Sequence, residues 1–293
     1  MAIIIWVMKK ITFFLFLWWL GTDPLQAFTL SNFSGPESMV VDPEDGSYYV
    51  SNINGSPLEK DSNGTISKIS PTGNIMIEQF IGGKEGDLVL HAPKGLVIVG
   101  RNIFVTDIDT VKAFDKKTAK PSIIIDFSKF KVKFLNDIAV DSKGFLYVSD
   151  MMTHRIFKIN PYADYQVSLF KEGKELSSPN GLLVNPRTGH LIVVTWSPGQ
   201  ILEIDRQGRV HILKKGLTGL DGVDCDSQGN LYVSSFEKGE IYKIAYFGRG
   251  ALSTFLSGLT TPADISVDSK KGELLIPSTK KNTVVTVSLG PKE

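Results

Sequence analysis

Asn136 to Asp150 reads NDIAVDSKGFLYVSD. An apolar run, Ile138-Ala139-Val140, leads into Asp141-Ser142-Lys143-Gly144 and then Leu146-Tyr147-Val148. Asp bonds its own backbone and Gly tolerates positive φ, so the middle of this stretch predicts a tight turn between two strands. Downstream, Arg155 to Ile159 (RIFKI) alternates apolar and polar residues, which predicts a third strand. Gln166 to Phe170 is a weaker fourth.

The same unit recurs along the chain. Upstream stand ESMVVDPEDGSYYVSN from Glu37 and KGLVIVGRNIFVTD from Lys94. Downstream stand NGLLVNPRTGHLIVVT from Asn180, DGVDCDSQGNLYVSS from Asp221 and ADISVDSKKGELLIPS from Ala263. The starts are 57, 42, 44, 41 and 42 residues apart. A period near 42 with this strand content matches one four-stranded propeller blade. The expectation is an all-β, six-bladed β-propeller occupying 28–293 as a single domain. The last unit runs out of chain near Val287, after its third strand. Phe28 to Phe33 (FTLSNF) has strand composition and is expected to supply the missing outer strand of the sixth blade, which closes the ring and removes an exposed edge.

The N-terminus departs from this pattern. Lys9-Lys10 precedes Ile11 to Gly21 (ITFFLFLWWLG), and TDPLQA ends at Ala27. Two lysines, a short apolar run and a small residue predict a secretory signal peptide over 1–27 and a periplasmic or secreted chain. Contact with a membrane is expected only through this segment, if it stays uncleaved. The full chain has 293 residues, a net charge of +1, 22% charged residues and one Cys. Without Lys9, Lys10 and Asp23 the remainder balances at 30 basic and 30 acidic residues. That leaves no basic excess for nucleic-acid phosphates. A single Cys excludes an internal disulfide and Cys-based metal frameworks. A monomer acting on a small molecule is the expected form.

In a propeller the innermost strand of each blade lines the central channel, so the first repeat position converges from six directions. Here it holds Glu37, Lys94, Asn136, Asn180, Asp221 and Ala263. Strands crowding an axis favour small or apolar residues, and buried polar groups are costly without partners. Glu37, Asn136, Asn180 and Asp221 offer two carboxylates and two amide carbonyls, which suits one hard divalent cation. Ca²⁺ heads the candidates, with Mg²⁺, Mn²⁺ or Zn²⁺ behind it. The alternative is a polar channel holding water and no metal. Lys94 brings a cation to the same mouth, as a partner for Glu37 or Asp221 or as a site for an anionic substrate.

These residues carry a resemblance. Gly35-Pro36-Glu37, Asn136-Asp137, Asn180-Gly181 and Asp221-Gly222 stand in order in blades one, three, four and five. The chain resembles the regucalcin/gluconolactonase family of six-bladed propellers over about 30–293. The resemblance implies that Glu37, Asn136, Asn180 and Asp221 coordinate one divalent metal, that Asp221 is the catalytic base, and that the activity is hydrolysis of lactones or related esters. It breaks at Phe134, where sugar-lactone members carry a substrate-contacting Arg. That break motivates a second expectation, a non-catalytic NHL-like propeller that binds a small ligand, glycan or protein partner in the cell envelope.

The first unit is about 15 residues longer than the others, with the excess in Asn52–Gly64 and Gly82–Pro93. Long loops on a rigid scaffold often carry function, and both are expected on the mouth face as a partial cover. Lys94, Asn54, Asp107, Asp109, Asp150 and Trp196 are the expected substrate-facing residues, with Phe236 completing the rim. Cys225, in the fifth inner strand, is expected to be an inert buried thiol.

Overall fold

The computed structural model describes residues 26–83 and 89–290. They form six four-stranded antiparallel sheets arranged as a ring. The protein is a six-bladed β-propeller. Among the described residues the helical pieces are three single-turn 3-10 segments, at Ser128–Phe130, Pro161–Ala163 and Lys174–Leu176. The leader expectation falls almost wholly on residues outside the described ones.

Blade 3 illustrates the plan. Strands β10 (Leu135–Val140), β11 (Leu146–Asp150), β12 (Arg155–Asn160) and β13 (Gln166–Glu172) lie in chain order from the channel outward. Alternation along β12 turns Phe157 and Ile159 towards blade 2 and Ile156 towards blade 4, while Arg155 and Lys158 stay half-exposed. Six buried apolar clusters follow, each filling the wedge between two successive blades. Between blades 2 and 3, for example, Phe104, Val111 and Ile125 meet Ile138, Val148 and Phe157.

Blade 6 is completed by the N-terminus. Strand β1 (Gln26–Leu30) pairs antiparallel with β24 (Thr283–Ser288), with Phe28 opposite Thr286 and Leu30 opposite Val284. The strand begins two residues before the expected position and ends at Leu30, after which Phe33 is buried between blades 6 and 1. Hydrogen bonding across the first and last strands closes the ring and covers an edge of β24. The Phe28 ring meets Tyr48 edge-on, with centroids 5.8 Å apart. Phe28→Ala is expected to lower stability by about 1–2 kcal/mol, because a half-buried aromatic contact is lost. Urea unfolding checks this: the midpoint should fall with the slope unchanged. An unchanged midpoint would mean that Phe28 adds nothing to the clasp.

The inner strands carry a repeated irregularity. In blades 1 to 5 the pairing with the second strand jumps at one place, between Pro36 and Met39, Pro93 and Leu96, Leu135 and Ile138, Pro179 and Leu182, and Leu220 and Val223. In blade 6 the same gap lies between the Pro262–Ser278 bridge and Ser266. Each gap is a β-bulge, of two residues in blades 1 to 5 and of three, Ala263 to Ile265, in blade 6. The first is the ring residue: Glu37, Lys94, Asn136, Asn180, Asp221 or Ala263. The second is Ser38, Gly95, Asp137, Gly181, Gly222 or Asp264.

A bulged amide loses its ladder partner and needs another. The Ser of the second strand supplies it. Ser51 Oγ accepts from Ser38 N (3.0 Å), Ser149 Oγ from Asp137 N (3.0 Å) and Ser234 Oγ from Gly222 N (2.7 Å). Ser234 also donates to Ala263 O of the next blade (2.7 Å). The repeated Tyr-Val-Ser of the sequence thus serves the bulge and the blade junction together.

Candidate functional site at the channel mouth

All six ring residues are buried where the inner strands begin. Asn180 Nδ2 donates to Asp221 Oδ1 (3.1 Å) and to Leu220 O (3.1 Å). Asn180 Oδ1 and Glu37 Oε2 are buried and have no hydrogen-bond partner. Two orphaned acceptors in one polar ring are a costly arrangement, which a proton, a water or a cation would relieve. No three His, Cys, Asp or Glu side chains gather into a metal cluster among the described residues. The mouth offers two carboxylates, and any further oxygen donors must come from amides.

A second layer of carboxylates lies beneath the ring. Asp137 Oδ1 accepts from Ile138 N (2.6 Å), and Oδ2 accepts from Leu182 N (2.6 Å) on the next blade. Asp264 Oδ2 accepts from Ser38 Oγ (2.6 Å) across the ring closure. Asp224 accepts from Cys225 N and, in blade 6, from Val267 N, each at 2.7 Å. Glycines make room for these groups. A Cβ on Gly95 would strike Asp137, and one on Gly222 would strike Asp264. Sequence reasoning missed this layer, and a signal was there: at the second repeat position Asp137 and Asp264 each follow a blade that carries Gly, Gly95 and Gly222.

So many buried carboxylates shift one another. Burial, then the Asp264 carboxylate, push Asp221 up to about 8, against the Asn180 amide that pulls it down. Burial raises Glu37 well above the usual range, helped by Asp221 and Asp264 and opposed by Lys94. Asp264 rises to about 7 and Asp224 to about 6, both chiefly by burial. Burial pulls Lys94 down to about 8, with Glu37 and Asp107 acting the other way.

Several expected substrate contacts have other work. Lys94 is 1% exposed. Its ammonium donates to Ala92 O (2.9 Å) and lies 4.6 Å from the Phe134 ring centre. Its charge lowers the Glu37 carboxyl, against the burial that raises it. Asp107 is fully buried, accepts from the amides of His91 and Ala92 and pairs with Lys112 at 2.6 Å. Asp150 is its equivalent one blade on, accepting from the amides of Lys133 and Phe134 and binding Thr153 and Arg155. Both lie at the end of a second strand, where the nearest unpaired donors are the amides of the loop leading to the ring residue. They hold the loops that lead to Lys94 and Asn136.

Asn54 is exposed, and its side chain donates to Asn63 O within its own loop. Asp109 points outward and pairs with Lys60 at 2.6 Å. The 54–64 loop reaches Asp109 through Lys60. It folds onto blade 2, with Ser62 N donating to His91 Nδ1 (3.1 Å) and Gly64 N to Leu90 O (3.0 Å). The second expected cover falls partly on 84–88, outside the described residues. Trp196 is half-buried and packs against Phe236, with ring centres 5.4 Å apart. Cys225 is half-buried and its thiol is pushed up to about 12, which makes it unreactive.

Comparison with solved structures places the ring among known folds. A protein of unknown function from Bacteroides thetaiotaomicron VPI-5482 superposes with a TM-score of 0.70 at 14% identity, over 92% of this chain and 72% of that one. A catalytically inactive virginiamycin B lyase from Staphylococcus aureus with quinupristin gives 0.63 at 14%, over 90% and 99%. A nidogen/laminin complex gives 0.66 at 18%, over 78% and 87%. What is shared is the propeller fold. No protein-family model matches the chain, and no curated protein sequence does. At these identities the likeness says nothing of activity, since propellers host unrelated functions.

Proposed function

We propose that the chain is a divalent-cation-dependent hydrolase of lactones or related esters, with the cation held by Glu37, Asn136, Asn180 and Asp221. The observation that carries this reading is the pair of buried, unpartnered acceptors, Glu37 Oε2 and Asn180 Oδ1, in one ring with Asp221. The donor set fits a hard cation: oxygen only, two carboxylates and two amides. When bound, such a cation polarises an ester carbonyl and renders water acidic near neutral pH. Asp221 is the residue placed to take the proton, its orientation fixed by the Asn180 amide on Oδ1. Lys94 offsets part of the carboxylate charge from behind Phe134, and Asp107 and Asp150 hold the loops that present Lys94 and Asn136. Export by the apolar Ile11–Gly21 segment belongs to the same proposal, as does action on a small molecule as a monomer.

One observation favours a second reading, a propeller that binds and does not turn over. The ring's single cation is buried, donates to Ala92 O and lies over the Phe134 ring, so the ring offers no exposed basic side chain to an anionic substrate or product. Calorimetry with Ca²⁺, Mg²⁺, Mn²⁺ and Zn²⁺, followed by a lactone and ester panel, separates the two. Cation binding with cation-dependent turnover supports the hydrolase, and binding without turnover supports the binding module. Glu37→Gln and Asp221→Asn are each expected to weaken cation binding by about tenfold or more, roughly 1.4 kcal/mol. Undiminished affinity in both variants would reject the ligand assignment.

A further inference from the structure

The residue after each second strand holds an equivalent place around the mouth: Ile53, Ile108, Met151, Trp196, Phe236 and Thr279. Five of the six donate their amide to the carbonyl two residues before the ring residue of their own blade. The pairs are Ile53 with Gly35 (3.0 Å), Met151 with Phe134 (3.0 Å), Trp196 with Ser178 (3.0 Å), Phe236 with Gly219 (2.8 Å) and Thr279 with Thr261 (3.2 Å). This bond fixes each collar residue beside its ring residue. Met151 Sδ accordingly lies 3.7 Å from Asn136 Nδ2.

The collar is not uniform. On blades 1 and 2, Ile53 and Ile108 are buried against Ala92, beside the 54–64 loop. On blades 4 and 5, Trp196 and Phe236 remain half-exposed, with rings in contact and planes inclined at 54°. Their backbone is locked: Gly219 N donates to Trp196 O (3.1 Å), and Leu217 N to Gly199 O (3.0 Å). These are the blades that present Asn180 and Asp221. The aromatic pair therefore flanks the strand ends that carry Asn180, whose Oδ1 is unpartnered, and Asp221. Asn180 Nδ2 is committed to Leu220 O and Asp221, and Lys280 Nζ lies 5.9 Å from the Phe236 ring centre.

We infer that the mouth takes a lactone or ester bearing an aromatic or alicyclic ring, the ring held on Trp196 and Phe236 and the ester end over Asn180 and Asp221. The ester chemistry rests on the hydrolase reading above, whereas the ring subsite rests on the aromatic pair alone. Aromatic side chains supply large, rigid contact area, and a ring packed on two of them gains beyond simple burial.

Two measurements test the inference. The first compares kcat/KM for dihydrocoumarin with that for γ-butyrolactone and glucono-δ-lactone. The ring-bearing lactone is expected to lead by at least about tenfold, chiefly through KM. In Trp196→Ala and Phe236→Ala the lead should collapse towards parity, and Trp196→Phe should restore most of it. The second needs no turnover: 3-phenylpropionate is titrated against the full chain carrying Trp6→Phe, Trp18→Phe and Trp19→Phe, so that emission reports Trp196. Saturable quenching, lost in Phe236→Ala, supports the ring subsite. Quenching with no hydrolysis of any lactone keeps the subsite and overturns the hydrolase reading. Hydrolysis indifferent to the ring and to both alanine substitutions, with no quenching, overturns the subsite and leaves the hydrolase. Neither hydrolysis nor quenching overturns both.

Discussion

Gly222→Ala is expected to destabilise the protein by more than about 4 kcal/mol, or to prevent the ring from assembling. Gly222 is the second residue of the fifth bulge. A Cβ there would come closer than 3.0 Å to Ile265 N, Asp264 Cα and Asp264 Oδ1 on blade 6. Two of these are backbone atoms of the neighbouring inner strand and cannot step aside without moving a blade. Gly208 is the proper control. It sits in an exposed turn at φ +77°, and a methyl group added there would meet nothing within 4 Å. Gly208→Ala meets only backbone strain, about 1 kcal/mol. Urea unfolding of the pair separates close approach from conformational freedom. Equal stability of the two variants would contradict the crowding of blades 5 and 6 at the axis.

The second large effect couples pH to the cation. Asp221, Asp264 and Asp224 have folded-state values of about 8, 7 and 6, all above their ordinary carboxylate range. A raised carboxylate binds its proton more tightly when folded. Its stabilisation is complete below about pH 4 and is lost as pH rises through the folded value. Cation-free protein should therefore lose stability between about pH 4 and 8. The Asp224 shift alone corresponds to roughly 3 kcal/mol, and the other two act in the same direction. Lys94 has the opposite sign but a different window, because a depressed lysine adds stability only as pH rises above about 8. Asp115 and Asp205, held near 2 by hydrogen bonds, lose their contribution only in more acid solution.

A divalent cation on Glu37 and Asp221 competes with those protons. Its stabilisation should be small at pH 5 and grow towards pH 8, following the concentration dependence of a ligand that binds the folded state alone. Thermal unfolding in EDTA and in millimolar Ca²⁺ or Mg²⁺, from pH 4.5 to 8.5, reads both effects. Asp221→Asn removes one titrating group, so its EDTA profile should be shallower and its gain from the cation much reduced. A melting temperature in EDTA that climbs steadily from pH 5 to 8 would contradict the buried-carboxylate account. A cation gain equal at pH 5 and pH 8 would contradict a site built on Glu37 and Asp221.

The sequence by itself determined the blades. A 42-residue period carrying apolar runs, Asp-Gly turns and Tyr-Val-Ser strands has one economical solution, because identical units that bury a face against their neighbours must stack, and twisted sheets stacked this way close. It also named the ring, since rotational symmetry turns equivalent repeat positions into neighbours around one axis: Glu37, Asn136, Asn180 and Asp221 converge although up to 184 residues separate them. Only the tertiary structure decided what those side chains meet. The bulge that frees them from the ladder is a matter of register, and no single strand reveals its register. Asp107 and Asp150 looked like rim residues, and the unpaired amides of a neighbouring loop draw them inside. Lys94 read as a partner for Glu37 or Asp221 or as a site for an anion, and its ammonium bonds Ala92 O over the Phe134 ring. Asp137 stood in the Asn136-Asp137 motif without a role of its own and Asp264 in no motif, and their roles arise from contacts such as Ser38 with Asp264, 226 residues apart. Side-chain direction and burial are set by partners on other blades, and the repeat that reveals the ring is silent about how its units differ.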